Sequence, residues 1–451
     1  MHWVRRILVI GVVVTMTAPL SSAYGAGAGK PAAPASVVDV PAKVVATSDG
    51  KVEYRAYGQG LPLVLIMGYA GNMEVWDPHF VDELARHFRV VIFDNAGIEH
   101  TAALHAPLSI DAMADQTSAL ITALHLGTPD VLGWSMGSMI AQALAIHHPR
   151  QVRRLVLCAT YPGNGNAVQP SQHDIAALTG SNAAAARADL FPAGQAIAAA
   201  AFTGSMAAFP ASTPSTKKVI AAQASAVLAW FDGRDPTGHE AADIGAPTLI
   251  VDGADDRIDA AANDHEVAAQ IPGSRLLLYP DAGHAFLFQE GASFTFLVRT
   301  FLLGAPSPVN SSKLRRRFLA DEKRVTSAAA LWLTGLKALS SKSSLRDVAR
   351  IDLSLADTLG ALDDDLLGCE ENGALGASVS ALVTADDRNV SDVLAIAGQS
   401  GSAIKGFAVT SSQDGHDALK LEDVLRRDLG LAPITTTTTT SSTSTTFQFM
   451  P

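Results

Sequence analysis

Apolar runs too short for helices recur between residues 51 and 280 of this chain. They are "KVEYRAYG", with alternating apolar positions, then "PLVLIMG", "FRVVIFD", "DVLGW", "RRLVLCA", "PTLIVDG" and "SRLLLYP". All but the first are apolar and rich in branched residues throughout, as strands buried on both faces must be. Helix-like segments at 76–87, 109–126, 136–148 and 260–270, and one ending near Leu303, lie between and after them. Such alternation specifies an α/β fold, a mostly parallel central sheet with helices on both faces. Residues 161–245 interrupt the pattern: they are Ala-rich, helical in spacing, broken by Pro and Gly, and hold no convincing strand.

The chain has 451 residues, enough for two or three domains. Apolar residues at 48% against 17% charged support a large buried core. A net charge of −11 argues against nucleic acid as a partner, because phosphate binding needs clustered Lys and Arg. The basic run "KLRRR" at Lys313–Arg317 reads as the solvated start of a helix. Arg5 and Arg6 precede the apolar "ILVIGVVVTM" and a small-residue stretch, so residues 1–26 read as a secretory signal peptide and 27–42 as a linker. A secreted, extracellular or periplasmic location is expected, or a membrane anchor if the signal stays uncleaved. Of the two cysteines, Cys158 lies in a strand-like run and is expected as a buried thiol, and no disulfide framework is expected.

The chemistry starts at "GWSMGS", residues 133–138, between the strand-like "DVLGW" and the helix-like "MIAQALAIHH". Gly-x-Ser-x-Gly in a strand–turn–helix setting is the arrangement of a nucleophilic serine on a tight turn. Gly133 and Gly137 let the turn close, and Ser135 stands at a helix N-terminus that favours a developing oxyanion. Such a serine needs a base, and the base an orienting acid. His87, His125, His147 and His148 fall near helix ends and His265 within one. His284 differs, following the last strand in the loop "DAGHAF", where α/β sheets assemble their sites. Four aspartates follow "PTLIV". Asp252 reads as still on the strand, and Asp259 as opening the next helix in a capping role. Asp255 and Asp256 remain as the acid, and spacing alone does not separate them.

Residues 45–305 resemble the α/β-hydrolase family, whose triad runs in the same chain order, Ser, Asp, His. The resemblance implies that the acid is Asp256, three residues after Gly253, with Asp255 in reserve. It implies an oxyanion hole made of the backbone N–H groups of Met136 and Tyr69. Two loops depart from the family pattern: Met67 stands where His is usual, and Ala96 where Arg is common. A domain over 43–305 that cleaves carboxylic esters, thioesters or lactones of small acyl substrates is implied, with no cofactor and no metal. The Ser-Met pair also resembles cofactor-free haloperoxidases and perhydrolases, and carbon–carbon bond hydrolases use the same triad. A non-catalytic binding protein of this fold is the remaining reading. Residues 161–245 occupy the place where the family inserts a cap, between its sixth and seventh strands.

Beyond Pro308 the character changes. A linker at 306–311 leads to a helical module at 312–431. Val325, Ala328, Trp332, Leu336 and Leu339 form one stripe at helical spacing, and Val348, Ile351, Leu355, Leu359, Leu362 and Leu366 another. The two predict an antiparallel helix hairpin with a core of its own. It carries no chemical motif, which suits packing on the core or binding a protein partner. The Thr/Ser-rich tail at 432–451 is expected to be disordered.

Overall fold

The computed structural model describes residues 36–104, 107–179, 189–304 and parts of two helical stretches between 316 and 356. The expected signal peptide, the linker at 306–311, the module beyond 356 and the tail lie outside the described residues. So does Cys369. Eight strands form one sheet in the order β1-β2-β4-β3-β5-β6-β7-β8. They are β1 (Lys43–Thr47), β2 (Gly50–Gly58), β3 (Leu61–Ile66), β4 (Phe88–Phe93), β5 (Asp130–Trp134), β6 (Leu155–Cys158), β7 (Thr248–Gly253) and β8 (Arg275–Tyr279). β2 pairs antiparallel with both β1 and β4, and every other pairing is parallel. The seven expected strands are all present, and β1 is additional. Its "KVVAT" sits at the sheet edge with mostly exposed side chains, so it lacks the apolar run that marks the central strands.

The parallel strands alternate between two cores. Leu63, Leu65, Val90, Ile92, Leu132, Val156 and Val251 face one side, with helices α1 (Pro78–Ala85) and α9 (Gly291–Leu303). Val64, Ile66, Val91, Phe93, Val131, Leu155 and Ile250 face the other, with α2 (Ile110–Ala123), α3 (Met136–His147) and α7 (Ala261–Gln270). Burial on both faces is why these strands read as unbroken apolar runs. Between β6 and β7 lie α4 (Gln172–Thr179), α5 (Ala196–Met206) and α6 (Lys217–Phe231), which cover the end of the sheet, and a short α8 (Phe286–Gln289) precedes α9.

One expectation is corrected. The linker assigned to 27–42 is structured from Ser36, whose hydroxyl accepts the Val38 N–H and caps a 3-10 turn over Val37–Asp39. Val37, Val38 and Val40 are buried, and the Val37 N–H donates to Asp82 Oδ1 at 2.7 Å, because three valines in four residues have a core to enter. The described part of the helical module, between 316 and 356, also touches the domain. A Cβ on Gly335 would lie 3.2 Å from Ile351, so its two helical stretches do meet. Ala349, Leu353 and Ala356, however, join the same core as α1 and α9. Arg346 Nε donates to the Ala208 carbonyl at 3.3 Å, and Arg350 pairs with Asp39. Ala349, Leu353 and Ala356 lie on a different face from the stripe of Ile351 and Leu355.

Candidate active site

Ser135 is the single residue between β5 and α3, with φ +59° and ψ −123°. A left-handed conformation is costly for a residue with a Cβ and persists only where the surroundings impose it. They do so here by close approach: a Cβ on Gly133 would lie 2.1 Å from the Gly137 carbonyl oxygen, and one on Gly137 2.0 Å from that of Ile66. The Ser135 N–H donates to the Cys158 carbonyl at 2.8 Å, and the Ser138 hydroxyl donates to the Ser135 carbonyl at 2.6 Å. The turn is thereby tied to β6 and to its own helix, and Ser135 is left half-buried over the sheet end.

His284 lies after β8 and is buried, with Nδ1 2.7 Å from Asp256 Oδ2. With a carboxylate oxygen accepting this contact, the hydrogen sits on Nδ1 in the tautomer that leaves Nε2 free of one. Asp256 is itself fixed: its Oδ1 accepts the N–H groups of Ile258 at 2.7 Å and Asp259 at 2.9 Å. Asp255 is exposed, and its N–H is taken by the Ala282 carbonyl at 2.9 Å. The turn therefore separates two aspartates that spacing could not. Asp259 does not cap α7, whose N-cap is Ala260, but is buried facing Asn263. Trp134, beside the serine, joins the two halves of the site. Its indole N–H donates to the His284 carbonyl at 2.9 Å, and the two rings lie 5.7 Å apart. Of the histidines near helix ends, His147 pairs with Asp111 at 3.2 Å and His148 with Asp115 at 2.7 Å.

The loop after β3 passes directly over the serine, since a Cβ on Gly68 would be 3.2 Å from that of Ser135. Tyr69 is in this loop, and Met136 opens α3, where its N–H has no intrahelical acceptor. Three side chains that the sequence did not single out hold the loop. Asn95 Nδ2 donates to the Met67 carbonyl at 2.8 Å, Gln223 Oε1 on α6 accepts the Ala70 N–H at 2.8 Å, and Asp94 Oδ1 accepts the Met73 N–H at 2.7 Å. Burial pushes the Asp94 carboxyl up to about 8. Asp94 and Asn95 had a signal, as polar residues of "FDNAG" beside the strand end, and Gln223 had none. Tyr69, Ser135 and Met136 line a cavity of about 130 Å³, whose other walls are mostly apolar: Met139, Ile175, Val227, Leu228 and Phe231 among them. Phe231 comes from "AWF", whose Trp230 instead packs inward and donates to the Tyr161 carbonyl at 3.1 Å.

This arrangement has known counterparts. Residues 62–291 match the family model described as the alpha/beta hydrolase fold. The chain belongs to this family. A Mycobacterium tuberculosis relative, BpoC, is named as a non-heme bromoperoxidase; it is 31% identical over 252 residues, 52% of this chain and 92% of its own. The 2-hydroxymuconate semialdehyde hydrolase of Pseudomonas sp. is 28% identical over 267 residues, 55% of this chain and 89% of its own. A pimeloyl-[acyl-carrier protein] methyl ester esterase of Vibrio vulnificus is 35% identical over 112 residues, 25% of this chain and 41% of its own. These alpha/beta hydrolase relatives are hydrolases and a peroxidase, which places this chain among enzymes of the fold and leaves the reaction to its own site.

Proposed function

We propose that this protein is a serine hydrolase that cleaves carboxylic esters of short, uncharged acyl groups through an acyl-enzyme. The observation that carries the reading is the contact of 2.7 Å between His284 Nδ1 and a buried, doubly hydrogen-bonded Asp256, with His284 itself held by Trp134, the residue before a strained Ser135. In this reading His284 Nε2 takes the Ser135 hydroxyl proton as Oγ attacks the acyl carbon. The oxyanion is met by the N–H groups of Tyr69 and Met136, and His284 returns the proton to the leaving alkoxide. Water repeats the cycle and releases the acid. A wall of Met139, Ile175, Val227, Leu228 and Phe231 around about 130 Å³ accommodates a small apolar acyl chain, and charged or long acyl groups are disfavoured.

The test is hydrolysis of p-nitrophenyl esters of increasing acyl length, with fluorophosphonate labelling of the intact protein. Activity greatest on acetate to butyrate esters, with the label on Ser135, is expected. Labelling elsewhere, or full activity in Ser135→Ala, would overturn the reading. The kinship with BpoC favours one variation, hydrogen peroxide replacing water at the acyl-enzyme to yield a peracid. Peracid-dependent halide oxidation, measured with acetate and peroxide, would detect it.

A further inference from the structure

Behind Asp256, the segment from β7 to α7 carries three more buried aspartates. Asp252 is the last residue but one of β7, Asp259 just precedes α7, and Asp264 lies in its first turn, and all three have no exposed surface. One carboxylate oxygen from each lies within 4.8 Å of the others. Each side chain already uses Oδ1: Asp252 accepts the Gly253 N–H at 2.7 Å, Asp259 the Asn263 Nδ2–H at 2.7 Å, and Asp264 the Thr160 N–H at 3.1 Å. The Oδ2 atom of all three is buried with no hydrogen-bond donor among the described residues. Arg257, the basic side chain of this loop, turns outward to Asp174 at 3.1 Å and Asp189 at 3.7 Å.

Three buried carboxylates without a counter-charge are costly, and proteins compensate by taking up protons or by binding a cation. Burial pushes Asp252 and Asp259 well above the usual carboxylate range and Asp264 to about 7. Asp252 and Asp264 face each other closely enough to share a proton. A single shared proton, however, links only two carboxyls and leaves Asp259 Oδ2 unmet. An ion with ligands at about 2.3–2.6 Å meets three oxygens up to roughly 5 Å apart at once.

We propose that Asp252, Asp259 and Asp264 form a buried site for a hard divalent cation, Ca²⁺ by preference, that braces the loop carrying Asp256. Oxygen-only donors select hard cations, and Mg²⁺, which keeps several waters, suits a fully buried pocket less well. The ion would tie the start of the loop, Asp252, to its end, Asp259, whose own N–H holds Asp256 Oδ1. Its role is structural, and the site stands whether or not the hydrolase reading holds.

The test strips the full chain with a chelator and titrates it with CaCl₂ by calorimetry, alongside thermal melts. One equivalent should bind. A hundredfold excess over Kd should raise Tm by about 5–10 °C. Binding should be weaker at pH 5.5 than at pH 8, because protons compete for the same oxygens. Asp252→Asn and Asp259→Asn should each abolish the calcium-dependent shift. Asp174→Asn, in the separate His173–Asp174–Asp189 grouping, should keep it. Stripped wild-type protein that binds no Ca²⁺, Mg²⁺ or Mn²⁺ stoichiometrically at millimolar concentration overturns the proposal. So does binding that survives Asp252→Asn and vanishes in Asp174→Asn. If the Asn variants fail to fold, the wild-type titration decides alone.

Discussion

Ser135 is held at φ +59° by neighbours that leave its backbone no alternative, and His284 is oriented by a carboxylate that is itself pinned by two N–H groups. Residues linked this closely should act as a unit. Ser135→Ala and His284→Ala should each lower kcat by several orders of magnitude, and the double variant should be scarcely worse than either, in initial rates on p-nitrophenyl acetate. Asp256→Asn should cost roughly 10⁴-fold by favouring the wrong imidazole tautomer. The exposed Asp255→Asn should change the rate less than about threefold, since it makes no contact with the histidine. Asp94 offers a pH test at the same scale. Its carboxyl rises from an ordinary 3.8 to about 8 through burial. Between those values the folded chain holds a proton that the unfolded chain has released, so this group makes stability fall as pH rises through the window. Asp94→Asn keeps an acceptor for the Met73 N–H and should flatten that slope in urea melts taken from pH 5 to 8.

At the scale of elements, the site is assembled from strand ends. β5 delivers Ser135, the loop after β7 Asp256 and the loop after β8 His284, while α6 of the cap reaches back through Gln223 to the loop after β3. Gln223 is fully buried, so its loss leaves the Ala70 N–H without a partner. Gln223→Ala should loosen the loop that carries Tyr69 and lower kcat several-fold, with KM for a small ester changed less. Equal loss in both would mean that the side chain serves binding alone. The strand–turn–helix at Ser135 was legible because its glycines and its apolar flanks belong to one continuous stretch. β1 was not, since an edge strand with one wet face carries no apolar run.

Over the whole molecule, the stretch from 346 to 356 is part of the domain's packing: Ala349, Leu353 and Ala356 share a core with α1 and α9. Leu353→Ala should therefore destabilise the alpha/beta hydrolase domain itself, by about 2–5 kcal/mol in chemical denaturation. A separate helical module would instead unfold in its own transition and leave esterase activity at its usual melting point. Truncation after Pro308, which the Pro-rich linker would have made harmless, should lower the Tm of what remains.

From its order of residues alone, the chain determined what is local and periodic. The unbroken apolar runs required a sheet buried on both faces, Gly-x-Ser-x-Gly between a strand and a helix required a tight turn, and His284 fell on the loop after the last strand. Distant contacts were decided only in three dimensions. Asp255 and Asp256 are adjacent in sequence and opposite in environment, because a turn of the chain sends one to solvent and the other to His284. Asp252, Asp259 and Asp264 look in sequence like a strand residue, a cap and a helix surface, yet their carboxylates converge in the dark of the core. The reason is physical: propensity and periodicity act over a few residues, whereas burial and proximity depend on which segments the finished packing brings together.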